Sequence, residues 1–144
     1  MVNIRRAEKK DLKEISNLFR TESSKKPYND KWTQKIALKE VTGFFKKKDM
    51  YVAIINKKIV GFIVSSICSD NKKKAYIDEL WLKPEYQGKG IGKSLVKFIE
   101  DKYKKKGIKI LRVVSSKKAR AFGFYKKVKF KELKELVFME KKLK

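Results

Sequence analysis

The sequence predicts one mixed α/β domain over residues 1–144, with a mixed sheet of six to seven strands flanked by about four helices. Three observations predict it. Residues 50–55, 59–69 and 75–82 are β-rich and separated only by polar turns, which gives a meander of antiparallel hairpins. In residues 90–106, Ile91, Leu95, Phe98 and Ile99 then recur along one helix face. The compact apolar stretch 108–114 follows that helix, as a strand lying parallel to the one before it would. A length of 144 residues suits one domain, and 42% hydrophobic residues supply its core.

The remaining elements follow in order. Residues 2–6 alternate as a first strand, with Val2 and Ile4 on one side. Asp11 opens a helix, with Glu14 three residues on as in a capping box, and Leu12, Ile15, Leu18 and Phe19 give it an apolar stripe. The polar stretch 21–31 reads as a loop over a binding site, leading to a second helix across 32–47 with Ile36, Val41 and Phe44. Residues 56–58 and 70–73 make the hairpin turns, and Pro84 ends the third β segment. Gly107 stops the long helix. Residues 117–127 carry Ala119, Ala121, Phe122 and Tyr125 at helical spacing, and 130–143 yield two short strands, the last with Val137, Met139 and Leu143. No repeat or linker divides the chain.

Composition excludes several chemistries. There is no histidine, which removes the usual zinc sites and any Ser-His-Asp or Cys-His arrangement. One cysteine, Cys68, makes neither an internal disulfide nor a Cys-rich metal site, so no metal is expected. The longest apolar runs are far short of a membrane span and the first ten residues lack a secretory core, so the reading is a cytoplasmic protein without membrane attachment. The formal charge is +24, from 40 Lys+Arg against 16 Asp+Glu, yet only five of the 40 are arginine. That imbalance argues against base-specific nucleic-acid reading, which leans on the bidentate guanidinium. Between Asp101 and Glu132 stand thirteen Lys/Arg and no acid, which places an anionic group near this segment.

The chemistry concentrates after residue 80, in Leu80-Trp81-Leu82-Lys83-Pro84-Glu85-Tyr86-Gln87-Gly88-Lys89-Gly90-Ile91-Gly92-Lys93. A strand runs into a loop with glycines at alternate positions, and a helix begins there. Such backbone turns successive N–H groups towards one point, and the helix start adds unpaired donors and the positive end of its dipole. Phosphate binds at places of this kind, and Lys89 and Lys93 add charge at the rim. A nucleotide-hydrolase P-loop does not fit, because the required first glycine falls on Gln87. A dinucleotide fingerprint fails on the spacing of Gly92.

Gln87-Gly88-Lys89-Gly90-Ile91-Gly92 matches the Gln/Arg-x-x-Gly-x-Gly/Ala pyrophosphate loop, and the chain resembles the GNAT superfamily of acetyl-CoA-dependent N-acetyltransferases. Residues 76–86 resemble the family's strand and proline-bearing approach to that loop. Tyr125-Lys126-Lys127-Val128-Lys129-Phe130 resembles its Tyr-x-Lys-Leu-Gly-Phe segment, and 137–143 its closing strand. The resemblance implies acetyl-CoA as cosubstrate without a metal, with the backbone of Leu80 and Leu82 pairing the pantetheine. It implies Gln87, Gly88, Lys89, Gly90, Ile91, Gly92 and Lys93 around the pyrophosphate, and Lys89, Lys93 or Lys118 near the 3′-phosphate. Tyr125 matches the tyrosine that protonates the departing thiolate in many members. Where relatives hold pantetheine with an asparagine, Ser115-Ser116-Lys117-Lys118 stand here, so either a serine such as Ser115 substitutes or the contact is missing; the usual glycine before Phe130 is Lys129.

With no histidine, deprotonation of the attacking amine falls to a carboxylate, directly or through water, to a tyrosine or to a main-chain carbonyl. Asp78 and Glu79 sit on the strand beside the thioester, and strand alternation sends them to opposite faces, so at most one faces the cleft. The acceptor amine is set by residues 20–48, where Tyr28, Asp30 and Trp32 are candidates for the lining. Candidate acceptors are a protein N-terminus or lysine, a polyamine, an amino acid derivative or an aminoglycoside. The basic surface would repel a polyamine unless an acidic pocket is hidden, and would draw the chain to an anionic assembly such as a ribosome, which favours a protein N-terminus. The alternative function is a non-catalytic, basic ribosome- or nucleic-acid-binding module on an acetyltransferase-like fold. Either a monomer or a homodimer fits.

Overall fold

A computed structural model describes residues 1–144. Strands β1 (Asn3–Arg6), β2 (Asp49–Ile55), β3 (Lys58–Ile67), β4 (Lys74–Leu82) and β5 (Ile110–Val113) lie side by side in chain order. The first four are antiparallel and β5 is parallel to β4. Helices α1 (Leu12–Ser23) and α2 (Gln34–Lys47) cover one face, and α3 (Ile91–Lys105) and α4 (Arg120–Lys127) the other. No helix is long and apolar enough to cross a membrane.

The β2–β3 hairpin turns on Asn56 and Lys57, both at positive φ (50° and 65°), the two-residue geometry whose twist suits antiparallel strands. Both central strands are buried on both faces. On β2, Met50 and Val52 point into the core beneath α1 and α2, while Tyr51 and Ala53 join Leu95, Ile99 and Tyr103 of α3. One strand thus feeds two cores through its alternation.

Several local expectations change. The capping contact lies one turn earlier than Asp11 and Glu14 suggested. Asp11 Oδ2 accepts from the Glu8 amide at 2.7 Å and both its oxygens are held by Arg5. The Arg5 bond is the main cause of the lowered Asp11 pKa. Glu14 instead accepts from the Ile59 amide at 3.1 Å, tying α1 to β3. The sheet has five strands rather than six to seven, because residues 130–143 form no ladder. Lys129, where a glycine was missed, takes φ 77°, the left-handed conformation a glycine would adopt freely.

Two irregularities in β4 position the site. Its pairing with β5 runs from Lys74↔Ile110 to Ile77↔Val113 and stops, so Asp78 to Leu82 face no neighbour on that edge. On the other edge Val64 pairs Glu79 and Ser65 pairs Ile77, which leaves Asp78 as a surplus residue, a β-bulge. Further along, β3 and β4 approach closely at Gly61, where a Cβ would overlap the Leu82 side chain and stand 2.9 Å from the Trp81 carbonyl oxygen. Gly61→Ala is therefore expected to lower the unfolding free energy by about 1–3 kcal/mol, measured by urea denaturation.

Candidate active site

The residues from Gln87 to Lys93 form one turn between the end of β4 and the start of α3. A 3-10 turn at Pro84–Tyr86 brings the chain round. Gly88 and Gly90 then take φ of 74° and 84°, and Gly90 caps α3. The first amides of α3 have no acceptor within the helix and point outward with the dipole, an anion-binding arrangement. Gly92 serves differently: a Cβ there would stand 3.2 Å from the Phe124 ring, so this glycine lets α3 pack on α4. The Gln87 amide braces the turn, donating to the Leu82 carbonyl at 3.2 Å and accepting from Arg120 Nη1 at 3.0 Å.

Arg120 was not singled out from the sequence. It lies 33 residues from Gln87 and reaches the loop because α4 begins beside it. Its presence in the acid-free stretch was the available signal. Lys89 and Lys93 are exposed at the rim, with Lys89 Nζ 5.7 Å above the Tyr86 ring. Lys118 is exposed and lines neither large cavity, while Ser115 lines both.

Where β4 and β5 part there is a cavity of about 270 Å³, walled by Tyr28, Trp32, Asp78, Glu79, Trp81 and Tyr125 among others. Asp78 and Glu79 both line it, contrary to simple alternation, because the bulge breaks the period of two at Asp78. Asp78 accepts from Ser66 Oγ at 2.7 Å and pairs with Lys48 Nζ at 3.2 Å. Glu79 accepts from Trp81 Nε1 at 2.8 Å. Burial pushes the Glu79 carboxyl up to about 7; the Trp81 bond opposes this and the Asp78 charge adds to it. Tyr125 is buried, and burial, then the neighbouring Tyr28 and Glu79, hold its phenol far above the ordinary range and therefore protonated. The expected loop of residues 21–31 is shifted, since α1 runs on to Ser23; the connection 24–33 brings Tyr28 over the cavity, its ring 5.0 Å from that of Trp81. Asp30 and Glu40 stand at its rim, and Trp32 Nε1 is buried with no hydrogen-bond partner.

A phosphate-type turn, an open strand edge and a carboxyl–phenol cavity in this order invite comparison with known proteins. Residues 10–130 match the model of the Acetyltransferase (GNAT) family. The chain belongs to that family. It is 32% identical over 114 residues to an uncharacterized N-acetyltransferase of Methanocaldococcus jannaschii, covering 74% of this chain and 45% of that one. The chain thus spans under half the length of that curated relative. Among solved structures it resembles the PaiA N-acetyltransferase of Thermoplasma acidophilum in complex with coenzyme A, at 27% identity and a TM-score of 0.69, covering 91% and 90% of the two chains. It also resembles an aminoglycoside acetyltransferase from an uncultured soil metagenomic sample in complex with sisomicin, at 25% identity and a TM-score of 0.74, covering 99% and 97%.

Within this GNAT domain the Glu79 carboxyl is raised chiefly by burial and lowered chiefly by the Trp81 bond, which can be removed alone. Trp81→Phe keeps the ring and deletes the donor. Carbon-13 NMR of the Glu79 carboxyl is expected to show its midpoint rise above the native value of about 7.

Proposed function

We propose that this GNAT domain transfers the acetyl group of acetyl-CoA to a primary amine by direct attack, with Glu79 as general base and Tyr125 as general acid. The observation that carries this is a carboxyl poised near 7 and a protonated phenol lining one cavity where β4 leaves β5. The chain also fits the donor: the glycine turn offers backbone N–H groups and Arg120 to phosphates. The unpaired edge of β4 at Leu80 and Leu82 offers donors and acceptors to an amide-bearing arm. Acetyl-CoA supplies the activated acyl group as a thioester. Glu79 takes a proton from the incoming ammonium, and the freed nitrogen lone pair attacks the thioester carbonyl carbon. The C–S bond breaks, sulfur takes the Tyr125 proton, the surplus nitrogen proton restores the phenol, and Glu79 releases its own proton to solvent. The products are an amide and a free thiol.

The acceptor is read as a small cationic amine in preference to a protein N-terminus. A cavity of about 270 Å³ with Asp30, Glu40, Asp78 and Glu79 around it is an acidic, aromatic-walled exception on a chain of charge +24. Such a pocket attracts cations by charge and by ring faces. The unbonded Trp32 Nε1 suits an oxygen on the same molecule. That the soil-metagenome neighbour is an aminoglycoside acetyltransferase agrees with this reading. In a turnover screen, small amines with two or more cationic groups are expected to outpace peptides with free N-termini. The opposite order would move the acceptor to protein N-termini.

Gly90→Glu forces a side chain into left-handed backbone and sets a carboxylate among the phosphate donors. Calorimetry is expected to show acetyl-CoA binding by the native chain and none by the variant. Retention of the native chain on nucleic acid with no acetyl-CoA binding would favour the basic binding module instead. The rate is expected to rise with pH through about 7 as Glu79 loses its proton, since only the carboxylate accepts one. Glu79→Gln should flatten that limb and lower kcat by roughly 10²–10⁴-fold. Tyr125→Phe should lower kcat with little change in acetyl-CoA affinity.

A further inference from the structure

One lysine is set apart from the others by its burial. Six lysines form ion pairs, and the side chains of five are more than half exposed; that of Lys48 is 32% exposed and that of its partner Asp78 20%. An exposed pair contributes little, while one drawn partly out of water is costly to break. Lys48 caps the end of α2, its amide donating to the Phe44 carbonyl at 2.8 Å, and β2 starts at the next residue. Asp49 pairs Ser65 across the sheet, which brings Lys48 level with Ser66. Both reach the surplus residue of β4: Ser66 Oγ donates to Asp78 Oδ2 at 2.7 Å, and Lys48 Nζ stands 3.2 Å from Oδ1. The carboxylate is thus held from two sides at the bulge that turns Glu79 to the cavity. Lys48 Nζ also lies 5.6 Å from the ring centre of Phe44, which walls the cavity together with Glu40 of the same helix. No side chain within α2 makes a hydrogen bond or ion pair to the sheet, so Lys48 is the polar tie between the two.

We propose that Lys48 is a positioning residue of the acetyl transfer: through Asp78 it locks the β4 bulge against α2 and so fixes the Glu79 carboxyl relative to the acceptor side of the cavity. This role rests on Glu79 being the base. Lys48 itself meets no substrate there, since no lysine or arginine lines the cavity. Charge gives the same pair a second hold on Glu79. The ionisable groups facing this carboxyl are Asp78 on its own strand, Tyr28 and Asp30 of the connection 24–33, Glu40 of α2, Tyr125 of α4, and Lys48 behind Asp78. Lys48 is the one cation among them. Burial raises the carboxyl most and the Trp81 bond opposes it; next in size, the Asp78 charge raises it and the Lys48 charge lowers it. Removing one member of the pair therefore moves Glu79 in the opposite direction from removing the other.

Carbon-13 NMR of the Glu79 carboxyl in the full chain tests this, beside the pH profile of turnover with acetyl-CoA and diaminobutane. Lys48→Met is expected to raise the Glu79 midpoint above about 7, and Asp78→Asn to lower it below that value. Lys48→Met should also lower kcat on the alkaline plateau by about ten- to a hundredfold, with the KM for acetyl-CoA little changed. Lys48→Arg, which keeps the charge, should recover both midpoint and kcat. Lys48→Met combined with Asp78→Asn should bring the midpoint back towards the native value while kcat stays low, because the charges cancel and the clamp is gone. A folded Lys48→Met chain, by circular dichroism, with native midpoint and native kcat overturns the proposal, as does a loss that Lys48→Arg leaves in place. If Lys48→Met does not fold, Asp78→Asn decides, since it keeps an acceptor for Ser66; a midpoint that stays or rises overturns the proposal. Midpoints that move as expected over a fixed turnover profile uphold the grip of Lys48 on Glu79 and overturn Glu79 as the base.

Discussion

Asp78 has no partner across β3, and the geometry of the site follows from that surplus residue. Pairing with β5 ends at Ile77, the residue before it, so the strands separate where the bulge adds twist. Beyond that point β4 must remain straight enough to pair β3 as far as Leu82 while leaving its other edge bare. The phosphate-type turn then begins at the end of the same strand. A cavity with two carboxylates, an open edge for an extended arm and an anion-binding turn are thus spaced along a single strand.

The electrostatics of the chain divide into two fields of opposite sign. Most of the surface repels cations and attracts anions, which suits a polyanionic cosubstrate at the turn and Arg120. The cavity reverses this locally. Its two β4 carboxylates are kept unequal: Asp78 has Lys48 and Ser66 as partners, while Glu79 is buried with an indole N–H as its hydrogen-bond partner. Adjacent acids in unlike environments are thereby given different tasks, Asp78 tied to its partners and Glu79 exchanging protons near neutrality.

Much of this was legible beforehand because it is local. The glycine spacing of Gln87 to Gly92, the apolar face of α3 and the polar hairpin turns each report on neighbouring residues, and each stands where expected. What was not legible is relational. The bulge that turns Asp78 and Glu79 to one cavity arises from register with β3 and leaves no mark in the β4 sequence. Arg120 meets Gln87 only because two helices abut beside a strand end. The tail has a strand's alternation, but alternation shows only that one face seeks burial, and in the structure residues 130–143 join no ladder.

Arg120 and Tyr125 stand on one short helix, five residues apart, the first hydrogen-bonded to the turn and the second lining the cavity. A helix of eight residues bends little over that length, rising about 1.5 Å per residue. It therefore acts as a lever with a fixed arm. Whatever seats the guanidinium also sets the depth and angle of the phenol, and Gly92 against Phe124 is the bearing on which the lever rests. The seat of Arg120 on the turn and the placing of the Tyr125 hydroxyl in the cavity are one mechanical property of α4, so neither can drift in the course of divergence without moving the other.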